Sequence, residues 1–180
     1  EDGQQFLDKI MHSGEHVVEL TETARDYAET LSKDETPELE SIPLRPVLST
    51  EIERRRESYP DATIEIDGAI PAVTVTANDM LSSVYRNLLN NAVQHNDTEE
   101  PLVTVDVTEH GASVTVRVRD NGPGIPDGQK ETVFGQGEMG MDSQGTGIGL
   151  YLVESLVDGY GGSVWIEDND VGCDGEQRGA

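Results

Sequence analysis

The chain is poor in cysteine and in long apolar runs, and both shortages exclude whole classes of protein. Cys173 is the single cysteine in 180 residues, which excludes an internal disulfide and a cysteine-based zinc site. No stretch approaches the ~20 consecutive apolar residues of a membrane-spanning helix, and no charged-then-apolar leader opens the chain. We therefore expect a soluble fragment from a reducing cytoplasm, whether or not the full-length protein is attached to a membrane.

Basic residues are equally scarce. Twelve of them stand against thirty-six acidic residues, which gives a formal net charge of -24, and only Lys9, Lys33 and Lys130 are lysines. A field of this sign disfavours nucleic acid and anionic membrane surfaces as partners. The acids are spread along the chain, a composition that resembles proteins of halophilic archaea. It predicts adaptation to high intracellular salt, and an ordinary acidic protein is the alternative.

Apolar spacing divides the chain into three parts. In residues 1–33, apolar positions recur every three or four residues from Gln4 to about Leu31, which predicts an amphipathic helix. Residues 34–43 contain prolines and acids, which predicts a linker or an edge segment. Residues 44–180 suit one compact domain of ordinary size. Because a single amphipathic helix buries nothing alone, the first part needs a partner helix.

The domain mixes helical and strand patterns. Helical spacing marks three segments, at residues 47–57, 79–95 and 148–157. Strand-like patterns mark three more, at residues 63–67, 72–75 and 163–166. Two alternating runs flank His110-Gly111 as a hairpin, and the glycine-rich stretch from Asn121 to Thr146 predicts a long mobile loop. The expected class is α+β, a two-layer sandwich in which helices cover one face of a mixed, largely antiparallel sheet.

Polar residues line one border of the predicted helix 79–95. At ~100° per residue, the buried stripe consists of Leu81, Val84, Tyr85, Leu88 and Ala92. Asn87, Asn91 and His95 follow the edge of that stripe, whereas Asn90 falls on the opposite, solvent side. An amide at the edge of a core can offer its oxygen to a hard cation such as Mg²⁺ and still be reached by a ligand. The alternative is that these amides only face water or cap the groove.

A carboxylate follows the second strand of the hairpin. Strand alternation puts Asp120 on the same face as the valines of residues 114–118, so it needs a hydrogen-bond donor, and an adenine amino group is a good candidate. Gly122 and Gly124 then let the backbone pass close to a flat ligand. The alternative is a strand end with a Pro-Gly turn that Asp120 caps.

Glycines also lead directly into the last predicted helix, in Gly145-Thr-Gly-Ile-Gly-Leu150. Unpaired amides at the positive end of a helix favour phosphates. Leu150 stands where a dinucleotide fingerprint needs glycine or alanine, and the Gly-Lys-Ser/Thr ending of a Walker motif is absent.

Taken in order and at their approximate spacing, these motifs resemble the catalytic domain of histidine kinases. The resemblance covers Leu44 to Ile166. It is carried by Asn87-x-x-x-Asn91, Asp120-x-Gly-x-Gly-Ile, Phe134 in a flexible segment and Gly145-x-Gly-x-Gly-Leu. That family belongs to the gyrase, heat-shock-chaperone and mismatch-repair ATPase superfamily. Membership implies a Bergerat-type fold in which ATP lies between helices and sheet, under a lid of approximately Asp127 to Gln144.

The resemblance also implies roles for individual residues. Asn91 would bind magnesium, Asn87 and His95 would lie by the phosphates as the catalytic positions, and Asp120 would hold adenine. The further ATP contacts that it implies are Gly122, Gly124, Ile125, Gly145, Thr146, Gly147, Gly149 and Leu150.

The first helix looks like the second helix of a dimerisation hairpin, whose other helix would carry the phosphorylated histidine. The full-length protein would then be a homodimer that autophosphorylates and passes the phosphoryl group to a response-regulator receiver domain. The acceptor of this family is normally followed by Glu or Asp and soon by Pro. His12 and His16 are followed by Ser13 and Val17 instead, so neither is expected to be the acceptor.

Position 87 favours transfer over hydrolysis. Hydrolysing relatives place a water-activating glutamate four residues before the magnesium asparagine, whereas here an amide, a poor general base, stands at that position. Two alternatives remain. One is a nucleotide-binding module without transfer activity, suggested by the lack of Arg or Lys between Glu131 and Gly145. The other is an ATP-hydrolysing member of the superfamily.

Overall fold

The structure is a computed structural model that describes residues 21, 25, 38–130, 133–134 and 148–169. The chain divides into two units, Glu1–Thr36 and Pro37–Ala180. In the first unit, Thr21 and Arg25 are helical and exposed. The rest of the helix predicted from Gln4 to Leu31, including both of its histidines, lies outside the described residues.

The second unit contains both strands and helices. Its elements are β1 (Glu40–Pro43), α1 (Leu44–Ser58), β2 (Thr63–Asp67), β3 (Thr74–Ala77), α2 (Leu81–Gln94), β4 (Leu102–His110), β5 (Ser113–Asp120), α3 (Asp127–Lys130) and α4 (Ile148–Gly159). The hairpin is where the sequence predicts it, because Gly111, at φ +64°, supplies the left-handed turn between β4 and β5.

The strands form a mixed arrangement. β2, β4 and β5 make one sheet in that order, with β2 parallel and β5 antiparallel to β4. β1 and β3 pair separately as an antiparallel ribbon. The Leu44 amide, at the start of α1, donates to the Val73 carbonyl at 3.0 Å, which joins this ribbon to the first helix.

Helices cover one face of the three-stranded sheet. Its inward residues Ile64, Val103 and Val105 are buried in a core that includes Leu44, Leu48 and Ile52 of α1 and several residues of α2. The opposite face carries ion pairs, Arg117 with Asp106 at 3.3 Å and Arg119 with Asp67 at 3.2 Å. A second core joins α2 to α4 through Met80, Val84, Leu152, Val153 and Leu156. The α+β sandwich with a mixed sheet is therefore confirmed.

Three local predictions differ from the structure. β1 occupies residues 40–43, at the end of the segment that the sequence predicts as a linker or an edge segment, and β3 lies two residues later than expected, because it pairs with β1 from Ala77 back to Thr74. The predicted strand Ser163–Ile166 is wrong, since residues 162–169 contain no helix or strand. An alternating pattern becomes a strand only when a neighbour pairs with it, and no strand in the described part of the chain does so.

The described helices are also too short or too polar to cross a bilayer.

Candidate functional site

α2 lies at the centre of the second unit, between α1 on one side and α4 on the other. Its apolar stripe packs on the sheet, and both flanks of the stripe are covered by a neighbouring helix. Polar residues on these flanks are therefore buried: Ser83 is 4% exposed, Asn87 6% and Asn90 3%. Buried amides need partners, and the partners differ from one asparagine to the next.

Asn87 faces α4. Its Nδ2 donates to the Ser83 carbonyl one turn earlier at 2.7 Å, which fixes the carboxamide. Its Oδ1 lies against Gly149, where an added Cβ would stand 2.8 Å from it. The structure thus brings together two positions, 87 and 149, that the sequence assigns to one site.

Asn91 and His95 lie one and two turns further along. Asn91 is partly buried, as expected for a residue at the edge of the core, and His95 is exposed just past the last helical residue, Gln94. The His95 amide donates to the Asn91 carbonyl at 3.2 Å, so both belong to the same closing turn. Asn91 lies one helical turn after Asn87 and so on the same face of α2, which agrees with the predicted helical spacing.

Asn90 is a correction, because the sequence places it on the solvent side. Its Oδ1 accepts a hydrogen bond from Arg55 Nη1 of α1 at 2.7 Å. A helical wheel assumes one buried stripe, but α2 is packed by helices on both sides, so the side of the helix opposite its apolar stripe, where Asn90 lies about 60° from Asn87, is buried as well. The sequence of α2 alone does not indicate that α1 packs against it.

The carboxylate at the end of β5 turns back on the chain that follows it. Asp120 Oδ1 accepts the Gly122 amide at 2.8 Å, and the Asp120 carbonyl accepts Asn169 Nδ2 at 2.7 Å. An added Cβ on Gly122 would lie 2.8 Å from Asp120 Oδ1 and 3.3 Å from the Asn96 Cα. Gly122 is therefore required for space rather than for an unusual φ. The capping geometry considered from sequence is present, and Asp120 as a whole residue is partly buried.

The chain after this turn keeps its backbone open. Gly124 has φ +73°, a conformation that residues with a Cβ rarely adopt. Ile125 beside it is partly buried. These two residues continue the turn from Asp120 and, in the sequence assignment, line the adenine side.

The start of α4 supplies the other predicted edge. The helix begins at Ile148, and both Gly149 and Leu150 lie in its first turn and are partly buried. Gly145, Thr146 and Gly147, the rest of the predicted phosphate loop, lie outside the described residues.

A hydrogen-bonded amide pair that sequence reasoning missed joins α2 to the Asp120 turn. Asn96 Nδ2 donates to Asn121 Oδ1 at 2.7 Å. The same oxygen accepts the Leu102 amide at 2.9 Å, while Asn121 Nδ2 donates to the Glu100 carbonyl at 3.1 Å. Asn121 lies inside the sequence motif that begins at Asp120, and its position next to Asp120 could have identified it as a residue of the site. Asn96 carried none, because its partner is 25 residues away.

Cations near the predicted lid already have partners. Lys130 Nζ lies 2.7 Å from Asp127 Oδ1 and 2.6 Å from Asp168 Oδ2. The hydrogen bond to Lys130 lowers the pKa of Asp127, and the bonds to both carboxylates raise the pKa of Lys130. Arg86 Nη2 donates to Ser83 Oγ at 3.1 Å. In the lid, Phe134 is buried at 8% exposure, whereas residues 131–132 and 135–144 lie outside the described part.

The described residues fit a magnesium ion that is coordinated mainly by the phosphates of a bound nucleotide. No cluster of three or more His, Cys, Asp or Glu side chains occurs among them. Magnesium in nucleotide sites commonly takes only one or two protein oxygens and completes its shell with phosphates and water. The partly buried amide of Asn91 is a hard oxygen donor of this kind.

Comparison with known proteins gives the family. Residues 76–179, more than half of the chain, match the family described as histidine kinase-, DNA gyrase B-, and HSP90-like ATPase. The sensor histidine kinase AruS of Pseudomonas aeruginosa is 28% identical over 176 residues, which cover 91% of this chain and 18% of AruS. The methanogenesis regulatory histidine kinase FilI of Methanothrix harundinacea is 36% identical over 86 residues, 47% of this chain and 10% of FilI. The chain thus spans a small part of the length of these relatives.

Solved structures agree on the fold. The mycobacterial sensor histidine kinase MprB superposes with a TM-score of 0.69 at 22% identity, covering 79% of this chain and 93% of MprB. The catalytic domain of histidine kinase ThkA superposes with a TM-score of 0.60 at 25% identity, covering 71% of this chain and 86% of the ThkA domain. The chain therefore belongs to the histidine kinase-, DNA gyrase B-, and HSP90-like ATPase family, and its relatives within that family are sensor histidine kinases.

Proposed function

We propose that residues 44–180 bind magnesium-ATP and transfer its γ-phosphoryl group to a histidine on a helical hairpin. In the full-length protein, a homodimer, this phosphoryl group passes on to the aspartate of a response-regulator receiver domain. Residues 1–33 contribute the second helix of the hairpin, and the residues between it and β1 join it to the domain. The similarity to sensor histidine kinases supports the relay, which involves parts of the protein beyond this chain.

The observation that carries the choice of transfer over hydrolysis is the amide at position 87. Asn87 is buried, and its Nδ2 is committed to the Ser83 carbonyl at 2.7 Å. An amide has no basic form near neutral pH, so this residue cannot remove a proton from water. Attack by water needs such a base, whereas a neutral imidazole nitrogen already carries a lone pair. A site without a base at position 87 therefore suits histidine as the nucleophile.

In the transfer step, an imidazole nitrogen forms a bond to the γ-phosphorus as the bond from that phosphorus to the bridging oxygen of ADP breaks. The protein contributes position and charge rather than covalent chemistry. Asn91 would hold magnesium, which neutralises phosphate charge when bound. Gly149 leaves room for the Asn87 amide beside the first turn of α4, and the N-terminus of a helix favours phosphate. Asp120 would accept a hydrogen bond from the adenine amino group through its carboxylate.

A binding module without transfer is the second candidate, and one observation favours it. Lys130 is held by Asp127 and Asp168, and the sequence contains no Arg or Lys between Glu131 and Gly145. In the proposed kinase, phosphate charge rests on magnesium and on backbone amides instead. The halophilic reading belongs to the same proposal, since molar potassium would supply additional screening.

Incubation with γ-labelled ATP tests the function. We expect residues 1–180 alone to bind magnesium-ATP without acquiring label, and to label a separate polypeptide that carries the complete hairpin. Asn91→Ala should abolish labelling, whereas Arg117→Ala, on the open face of the sheet, should leave it unchanged. Binding without transfer to the hairpin would establish the module instead. Acid-labile label on His12 or His16 would refute the placement of the acceptor upstream.

A further inference from the structure

Two parts of the proposed ATP site lie on different elements, and a small polar cluster connects them. The adenine side is the turn Asp120–Gly124 after β5, and the phosphate side includes the end of α2. In sequence the two are separated by the loop 96–101 and the whole hairpin β4–β5. A ligand that contacts both sides binds more tightly when the distance between them is fixed in the free protein. If that distance varies, binding must order the two sides, and the entropy lost lowers the affinity.

Asn96 lies two residues after the end of α2 and is hydrogen-bonded to its last turn. Its amide donates to the Val93 carbonyl at 3.2 Å, just as the preceding residue, His95, donates to Asn91. Its side chain is fixed as well, because its Oδ1 accepts both the amide of Thr98 at 3.1 Å and the hydroxyl of Thr98 at 2.6 Å. The Nδ2 of Asn96 is therefore directed at Asn121 by the last turn of α2 itself.

Asn121 belongs to the adenine-side turn. It stands between Asp120 and Gly122, which are linked by the 2.8 Å bond from the Gly122 amide to the carboxylate. The Asn121 carboxamide has one possible orientation, since its oxygen accepts the Leu102 amide and its nitrogen donates to the Glu100 carbonyl. Gly122 also packs on Asn96, whose Cα would lie 3.3 Å from a Cβ at position 122.

We propose that Asn96 and Asn121 form a positioning pair that sets the distance between the adenine side and the phosphate side of the ATP site. The inference rests on the proposed function, since it assumes that one nucleotide spans both sides. Neither residue needs to touch the nucleotide. The pair acts through the carboxylate of Asp120 and through the helix turn that carries Asn91.

The role predicts a specific signature in binding. Adenosine occupies the adenine side alone, so loosening the joint should change its affinity little. Magnesium-ATP occupies both sides and loses the advantage of their fixed spacing. A purely structural role would weaken the two ligands by the same factor or leave both unchanged.

Asn96→Ala in the 180-residue chain is the first variant. We expect magnesium-ATP affinity, measured by calorimetry, to fall about tenfold while adenosine affinity changes less than about threefold. Asn96→Asp keeps the size and the acceptor toward Thr98, but it presents an oxygen to Asn121 Oδ1 in place of the donor. It should lower the ATP-to-adenosine affinity ratio at least as much as the alanine variant.

A matched control comes from the other end of α2. Asn78 is 7% exposed, and its Oδ1 accepts the Met80 amide at 3.0 Å and the Tyr160 hydroxyl at 2.6 Å. Burial, and then the charge of Asp79, raise the pKa of Tyr160, so its hydroxyl keeps the proton that it donates. Asn78→Ala should lower the melting temperature about as much as Asn96→Ala does. It should leave the ratio of ATP affinity to adenosine affinity unchanged.

A milder substitution tests the same positioning role if the Asn96→Ala protein does not fold. Thr98→Val removes only a hydroxyl, which lies 2.6 Å from Asn96 Oδ1 and 3.4 Å from Asn121 Oδ1, and it should lower the ratio two- to threefold. An unchanged ratio in the folded Asn96 variants, or in Thr98→Val if those unfold, would overturn the positioning role. Wild-type protein that binds neither ligand would instead refute the proposed function, and Asp120→Asn, which should weaken both ligands, separates the two failures.

Discussion

The two sides of the site are held in place by different forces. The turn at Asp120 is held by hydrogen bonds among loop and strand groups, of which the Asn121 side chain makes four with residues 96–102 and the Asn121 backbone amide makes a fifth. The middle of α2 is held mainly by packing, between a core shared with α1 and the sheet and a second core shared with α4. The first side depends on donor and acceptor identity, and the second depends on volume. Substitutions that change one property at a time should therefore affect the two sides differently.

Asp120→Asn changes hydrogen-bonding character on the first side and leaves volume unchanged. The new amide oxygen can still accept from Gly122, so the turn should survive. A hydrogen bond that the adenine amino group donates to a charged acceptor contributes about 1.5–3 kcal/mol, so nucleotide affinity should fall about ten- to a hundredfold. Calorimetric titration measures the change, and Asp106→Asn, on the open face of the same sheet, is the matched control. Unchanged affinity in a folded Asp120→Asn protein would remove this carboxylate from the site.

Gly149→Ala changes volume on the second side. The added Cβ would lie 2.8 Å from Asn87 Oδ1, and that carboxamide is fixed by its bond to Ser83. Overpacking of this kind costs about 1–3 kcal/mol of unfolding free energy, and we expect nucleotide affinity to fall with it. Gly159→Ala, at the end of the same helix, meets nothing within 4 Å and should be neutral or stabilising by about 0.5 kcal/mol. Urea unfolding compares the two, and equal effects would contradict the close packing of Asn87 against α4.

Arg55→Met tests the hydrogen bond between α1 and α2 on the side of the site that is held mainly by packing. It removes the hydrogen bond to Asn90, which is 3% exposed, and should lower the unfolding free energy by about 1.5 kcal/mol. Arg119→Met removes an exposed ion pair with Asp67 and should change stability by less than about 0.5 kcal/mol. Nucleotide affinity should stay within about threefold in both. A larger loss of affinity in Arg55→Met would show that α1 helps to position the phosphate side.

Salt acts on neither side alone, because the net charge of -24 belongs to the whole chain. Screening shortens the reach of repulsion from ~10 Å at 0.1 M to ~3 Å at 1 M. We expect the thermal midpoint to rise steadily with potassium chloride into the molar range. A midpoint that stays flat or falls would refute the halophilic reading without bearing on the site.

Periodicity in the sequence was sufficient where a residue's environment is set by its own element. The hairpin about Gly111 and the edge position of Asn91 were predicted correctly, since alternation and helical spacing each define a face. Asn90 was misassigned because its burial depends on Arg55 of another helix. The strand at residues 163–166 was also wrong, because strand formation requires a partner that local pattern does not specify.

The sequence by itself determined the family, the order of the motifs and the amide at position 87, because each depends on residue identity and spacing along the chain. Only the tertiary structure decided that Asn87 meets Gly149, that Arg55 holds Asn90, and that Asn96 and Asn121 join α2 to the Asp120 turn. These contacts join residues separated by 62, 35 and 25 positions. Hydrogen bonds and close packing act over about 3 Å, so such pairs come within reach only once the helices have packed against the sheet.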